Sequence, residues 1–92
     1  MIVRIMGEGQ FRLSDEVRER VNGLDNAAVA AVGSGDEDSF HEAFEEMLQL
    51  IRAEGEAVAD EDIESSDVIV PPADTSFSEA AAEFTGDGLI PD

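Results

Sequence analysis

The side chains of this 92-residue chain that could do chemistry are mostly carboxylates. Asp and Glu number 23 against five Arg and one His, with no Cys and no Lys. They crowd at Asp36-Glu37-Asp38 and at Asp60-Glu61-Asp62. A calcium loop needs carboxylates at alternate positions, a Gly at its tight turn and a distal Glu. Neither cluster has that spacing, so both read as hydrated acidic surface, and no metal or cofactor is expected. His41 is the only imidazole. As a general base or zinc ligand it would need partners, and the nearby ones are Asp38, Glu42 and Glu45. His41 and Glu45 stand four apart, the spacing of a surface pair on a helix. No Gly-x-Ser-x-Gly elbow presents a nucleophilic Ser. Gly7-Glu8-Gly9 lacks the further Gly, the Lys and the helix start of a phosphate cradle, so it reads as a turn. No catalytic residue is assigned.

Arg4 and Arg12 carry more information. With the turn centred on Glu8, residues 1–13 form a β-hairpin in which Ile5 faces Phe11 and Val3 faces Leu13. Met6 then faces Gln10 on the wetter side, and Arg4 faces Arg12. Like charges directly opposed are destabilising. A carboxylate is therefore expected beside them, either internal or supplied by a partner. The apolar tail Leu89-Ile90 also admits two readings. It folds back over the sheet, or it stands exposed as an interaction anchor. Arg4, Arg12, Phe84, Leu89 and Ile90 are the candidate partner-binding residues.

The elements that would position these residues follow from pattern. Ser14 caps a helix with Asp15 and Glu16 at its positive end. Leu13, Val17, Val21 and Leu24 recur at helical spacing, but Asn22-Gly23 interrupts them. A kinked helix or two short ones is expected, with Asp25 or Asn26 restarting the run and Gly33-Ser34-Gly35 ending it. Asp36 caps a second helix whose stripe is Phe40, Phe44, Met47, Leu48 and Ile51. Gly55 stops it. Residues 56–66 read as irregular. Val68-Ile69-Val70 is a short strand closed by Pro71-Pro72. Ser76 and Glu79 form a capping box for a helix over 76–85, with Phe77, Ala80, Ala81 and Phe84 on one face and Gly86 beyond it. The expected class is α+β. An N-terminal β-hairpin plus a third short strand packs against a helical hairpin over 15–54, with a short C-terminal helix, in a single domain over 1–92.

Composition narrows the function further. A chain of this length buries only about 60–65% of the surface its unfolded form exposes, leaving no room for a deep cleft. The net charge is -18, yet 42% of residues are hydrophobic and fall in periodic stretches. Disorder is thereby disfavoured except near the ends. Adaptation to molar salt fits better, because at 1 M the Debye length is about 3 Å and surface carboxylates barely repel. Nucleic acid and anionic lipid both need clustered cations, which five dispersed Arg do not provide. No apolar run approaches the ~20 residues of a membrane span, and no basic-then-apolar leader opens the chain. A cytoplasmic protein with no direct membrane insertion is expected.

Several stretches in order resemble the PspA-associated domain, a small protein that accompanies phage shock protein A in haloarchaea and actinobacteria. They are Met1-Ile2-Val3-Arg4-Ile5 with Gly7-Glu8-Gly9-Gln10-Phe11, and Gly35-Asp36 before Phe40. Ser66-Asp67, Val68-Ile69-Val70-Pro71-Pro72 and Asp74 follow, then Gly88-Leu89-Ile90-Pro91. The resemblance implies a non-catalytic accessory of a phage-shock-protein-A-like, coiled-coil membrane-stress protein. Any membrane contact would come through that partner at the inner membrane face. It implies no catalytic residues. Two other classes compete: a winged-helix-like transcriptional regulator, which lacks a basic recognition helix, and a homodimeric interaction domain with no fixed partner. An enzyme would need a nucleophile–base constellation that is not present.

Overall fold

The computed structural model describes residues 1–59, 65–84 and 89. Its elements run β1 (Ile2–Ile5), β2 (Gly9–Arg12), α1 (Asp15–Ser34), α2 (Glu37–Glu54), β3 (Glu56–Ala57), β4 (Val68–Val70) and α3 (Phe77–Glu83). The strands form one sheet in the order β3-β2-β1-β4. β2 is antiparallel to β1 and β3, and β4 joins β1 in parallel. The architecture is the expected α+β one, with two long helices as a hairpin and a short C-terminal helix.

Four details differ from the sequence reading. The hairpin turn is centred on Gly7 rather than Glu8. The Glu8 N–H donates to the Ile5 carbonyl at 2.9 Å, with Gly7 at φ 86°. A positive φ at the third turn position is what a type II turn requires, and Gly adopts it without a steric cost. Ile5 therefore pairs with Gly9, Val3 with Phe11, Arg4 with Gln10 and Ile2 with Arg12. Each partner has shifted by two residues, so every side chain keeps its face while every expected pair is wrong. Arg4 and Arg12 become diagonal neighbours rather than opposed ones.

Second, α1 is continuous. Gly23 is exposed and lies inside the helix, where it costs about 1 kcal/mol relative to Ala. The buried residues Val17, Val21, Ala28 and Ala31 on either side of it pack into the core with α2 and outweigh that cost. Third, the sheet has a fourth strand. Glu56 and Ala57 show no alternation of apolar residues, because both are exposed and hold their place through backbone pairing to β2. Fourth, Asp25 does not cap a second helix. It is fully buried within α1.

The helix ends follow their chemistry. The Gly35 N–H bonds the Val32 carbonyl and the Asp36 N–H bonds the Ala31 carbonyl, with Gly35 left-handed at φ 72°. This paired pattern closes α1 and hands the chain directly to α2. Asp36 then accepts from the Ser39 N–H at 3.1 Å and from the Ser39 hydroxyl at 2.7 Å. These bonds hold its carboxyl below the ordinary value. At the far end, a Cβ on Gly55 would collide with the Ile51 carbonyl oxygen and press on Leu13 and Phe11. Only Gly allows the end of α2 to lie this close to the sheet.

The core sits between one sheet face and the helices. Val3, Ile5, Leu13, Val68 and Val70 point inward, against Phe44, Met47, Leu48 and Ile51 of α2. At one end of α2, four of the five Phe gather. The Phe40 ring lies 5.5 Å from Phe44, 5.5 Å from Phe77 and 5.2 Å from Phe84. Such pairs add about 0.5–1.5 kcal/mol each beyond area burial. No helix among the described residues is long and apolar enough to cross a membrane.

Candidate interaction groove

Alternation along the strands sends Ile2, Arg4, Gln10, Arg12 and Ile69 to the outer face of the sheet, opposite the helices. That face is not uniformly open. Gln10 is buried, and its amide donates to the Ser66 hydroxyl at 2.8 Å. Ile2 is buried beside it. Its N–H donates to the Asp67 carboxylate at 2.8 Å, and its carbonyl accepts from the Asp67 N–H. Asp67 thus clamps the start of β1, and Ser66 clamps β2, to the segment that leads into β4.

The other end of that face is different. Among the described residues, Met6 and Ile69 are the exposed large apolar side chains, at 47% and 56% exposure. Both line one groove of about 480 Å³, together with Pro71, Pro72, Thr75 and Glu79. A space of that size can seat one or two large side chains. Ile69 sits between Val68 and Val70, whose side chains face the core, so strand alternation forces it outward. Pro71 and Pro72 end β4 and form the wall. Arg4 is half-buried and stands opposite Ile69 across β1–β4.

The sequence-derived candidates do not form one site. Arg4 flanks the groove. Arg12 lies two positions from it along the sheet, with Ile2 opposite on one side and Glu56 on the other. Phe84 is fully buried in the aromatic cluster. Leu89 does fold back, but onto α1: its N–H donates to both oxygens of Asp25, at 3.0 and 2.9 Å. Ile90 lies outside the described residues, as do Asp60-Glu61-Asp62 and Gly86. Met6 and Ile69 were missed as site residues, although their alternation was readable. The reason is that an exposed apolar side chain becomes informative only when a second one joins it in a concave surface.

Near the hairpin turn, Arg52 from the last turn of α2 forms a two-bond ion pair with Glu8. Arg52 Nε donates to Glu8 Oε1 at 2.6 Å and Arg52 Nη2 to Oε2 at 2.5 Å. The guanidinium bonds hold the Glu8 carboxyl below its ordinary range and raise Arg52, against a smaller opposing effect of burial. The pair ties the turn to the helix and leaves no free base. His41 pairs with Glu37 at 3.6 Å, one turn before it rather than with Glu45, on the exposed side of α2. Among the described residues no three His, Asp or Glu come together in a metal-holding group.

A family model described as PspA-Associated protein matches residues 1–92. No curated protein and no solved structure gives a significant match.

Proposed function

The chain belongs to the PspA-associated protein family, and from that membership we propose that it is a non-catalytic protein-binding accessory of a PspA-like membrane-stress protein. The observation that carries the reading is the match over the whole chain. The surface chemistry supports it. A domain of net charge -18 has little to offer by general charge attraction, least of all to other acidic proteins at high salt. A compact apolar contact survives such conditions, because burial of apolar surface is strengthened rather than screened by salting-out ions. The exposed Met6 and Ile69 provide one. The acidic excess fits a salt-adapted cytoplasm. Membrane recruitment then follows from the partner: no helix among the described residues is long and apolar enough to span a membrane, and the chain has only five Arg and no Lys to meet anionic lipid.

The test uses the purified full chain and the purified PspA-like protein of the same organism, mixed in molar KCl and run on a sizing column with light scattering. Co-elution at a fixed ratio is expected. Vesicle flotation should carry this chain up only when the partner is present. Separate elution of the two proteins at every salt concentration would remove the reading. A DNA mobility shift persisting at molar salt would replace it with the regulator reading.

A further inference from the structure

We infer that the groove formed by Met6, Ile69, Pro71 and Pro72 receives an amphipathic helix of the partner, oriented by a carboxylate on that helix pairing with Arg4. The inference rests on the protein-binding reading above and names the surface that performs it.

Three observations select this occupant. The first is the groove itself, which concentrates the exposed large apolar side chains of the described surface in one concavity. Met adapts its shape to varied apolar partners, and the Pro rings give a rigid wall. The second is charge. The chain carries 23 carboxylates and five Arg, yet the side chain standing across the ladder from Ile69 is Arg4. Arg4 makes no side-chain hydrogen bond or ion pair with another described residue. Glu79 lines the groove on its α3 side. The groove is thus apolar along its floor, positive beside Ile69 and negative beside α3. A helix with an acidic residue at one end of its apolar stripe and a basic residue at the other matches that pattern in one direction only. A second copy of this chain is the poorer occupant, because it would bring another net charge of -18 to the contact. The third is the edge. β4 is three residues long and runs into Pro71-Pro72, so an added strand has almost no ladder to pair with. A helix satisfies its own backbone and needs only the side-chain groove.

The absence of Cys makes the test clean. The full chain carrying Ile69→Cys, labelled with a benzophenone maleimide, is mixed with the PspA-like protein and irradiated, and the attachment sites are mapped by mass spectrometry. Attachment at partner residues three or four apart is expected. Attachment at alternating residues would indicate an added strand, and attachment only to a second copy of this chain would indicate a homodimer. Either overturns the inference. In parallel, Ile69→Glu should weaken binding at least tenfold, with Arg4→Gln weaker by a smaller factor, while circular dichroism and the melting temperature in molar KCl stay near those of the unaltered chain. Unchanged affinity in Ile69→Glu, with the unaltered chain still binding, would sink the groove and leave the protein-binding reading standing. No binding by the unaltered chain would sink both.

Discussion

The helical half and the sheet half of this molecule are held together in different ways. In the helical half, apolar stripes on α2 and α3 meet in a Phe cluster, and α1 adds Val17, Val21, Ala28 and Ala31. Nearly all of its stability comes from apolar burial set by helical period. The strands are four, four, two and three residues long, too short for pairing alone to fix their register. Side chains distant in sequence clamp them instead. Asp67 holds Ile2, Ser66 holds Gln10, and Arg52 holds Glu8. Asp25 does the same for Leu89 from inside α1. The difference teaches how a thin core is divided: both halves bury apolar side chains between them, while the register of the short strands is left to polar contacts from distant residues.

The sharpest way to break this comparison is to cut the Phe cluster. Phe40 is fully buried and its ring meets Phe44, Phe77 and Phe84. Phe40→Ala should cost about 3–5 kcal/mol through lost contacts and the cavity left behind. For a domain of this size that is a large share of the total. Denaturant melts in molar KCl would measure it. A loss under 1 kcal/mol would mean that the helical half is not organised around these rings.

Asp25 tests the clamps at the next level down. Its carboxylate is fully buried and accepts the Leu89 N–H on both oxygens. Asp25→Ala leaves that donor without its acceptor and should cost about 2 kcal/mol. The apolar core would remain. Amide exchange distinguishes the two effects, because Leu89 should lose its protection while Ile51 keeps it. Equal loosening at both positions would show that Asp25 supports the core as a whole and not the returning chain.

Legibility follows the same division. The stripe of α2, both Ser caps, the Gly35 stop and the Pro71-Pro72 strand end were readable, since each depends on residues within one turn of one another. The failures came where distant residues decide. The hairpin register depended on where the turn is centred, and with Gly7 and Gly9 both at positive φ the two glycines alone do not decide it. Continuity of α1 through Gly23 depended on packing against α2. β3 depended on β2 offering an edge, and its own two residues carry no signal. At the groove, Arg4 was readable from its rarity in an acidic chain. Met6 and Ile69 became a site only when the β1–β4 crossover placed them side by side, a parallel pairing across more than 60 residues. Phe84 shows the converse: an aromatic near the end of the chain reads equally well as an anchor or as core until its neighbours are known.

The smallest expected effect sharpens the comparison most, because it isolates one clamp. The Glu8 and Arg52 side chains are 30% and 39% exposed, so solvent screening limits their pair to about 0.2–1 kcal/mol. Its pH signature is specific. The Glu8 carboxyl lies below its ordinary value because Arg52 bonds its charged form. The pair's contribution is therefore fully present above the unfolded value, about 4.3, and is lost as pH falls through the lower folded value. Protonating the other surface carboxylates works in the opposite direction, by relieving the repulsion of a chain at -18. Total stability against pH thus mixes two signs, and only the difference between the unaltered chain and Glu8→Gln separates them. That difference should be flat from pH 8 to about 5 and should shrink steadily as the pH falls below the ordinary Glu range, and it should also shrink from dilute to molar KCl. A difference that shows no decrease at all on acidification would mean that Glu8 acts through the turn's geometry and not through its charge. The hairpin turn would then be held against α2 without its ion pair, and Asp67 and Ser66 would remain as the polar clamps of the sheet.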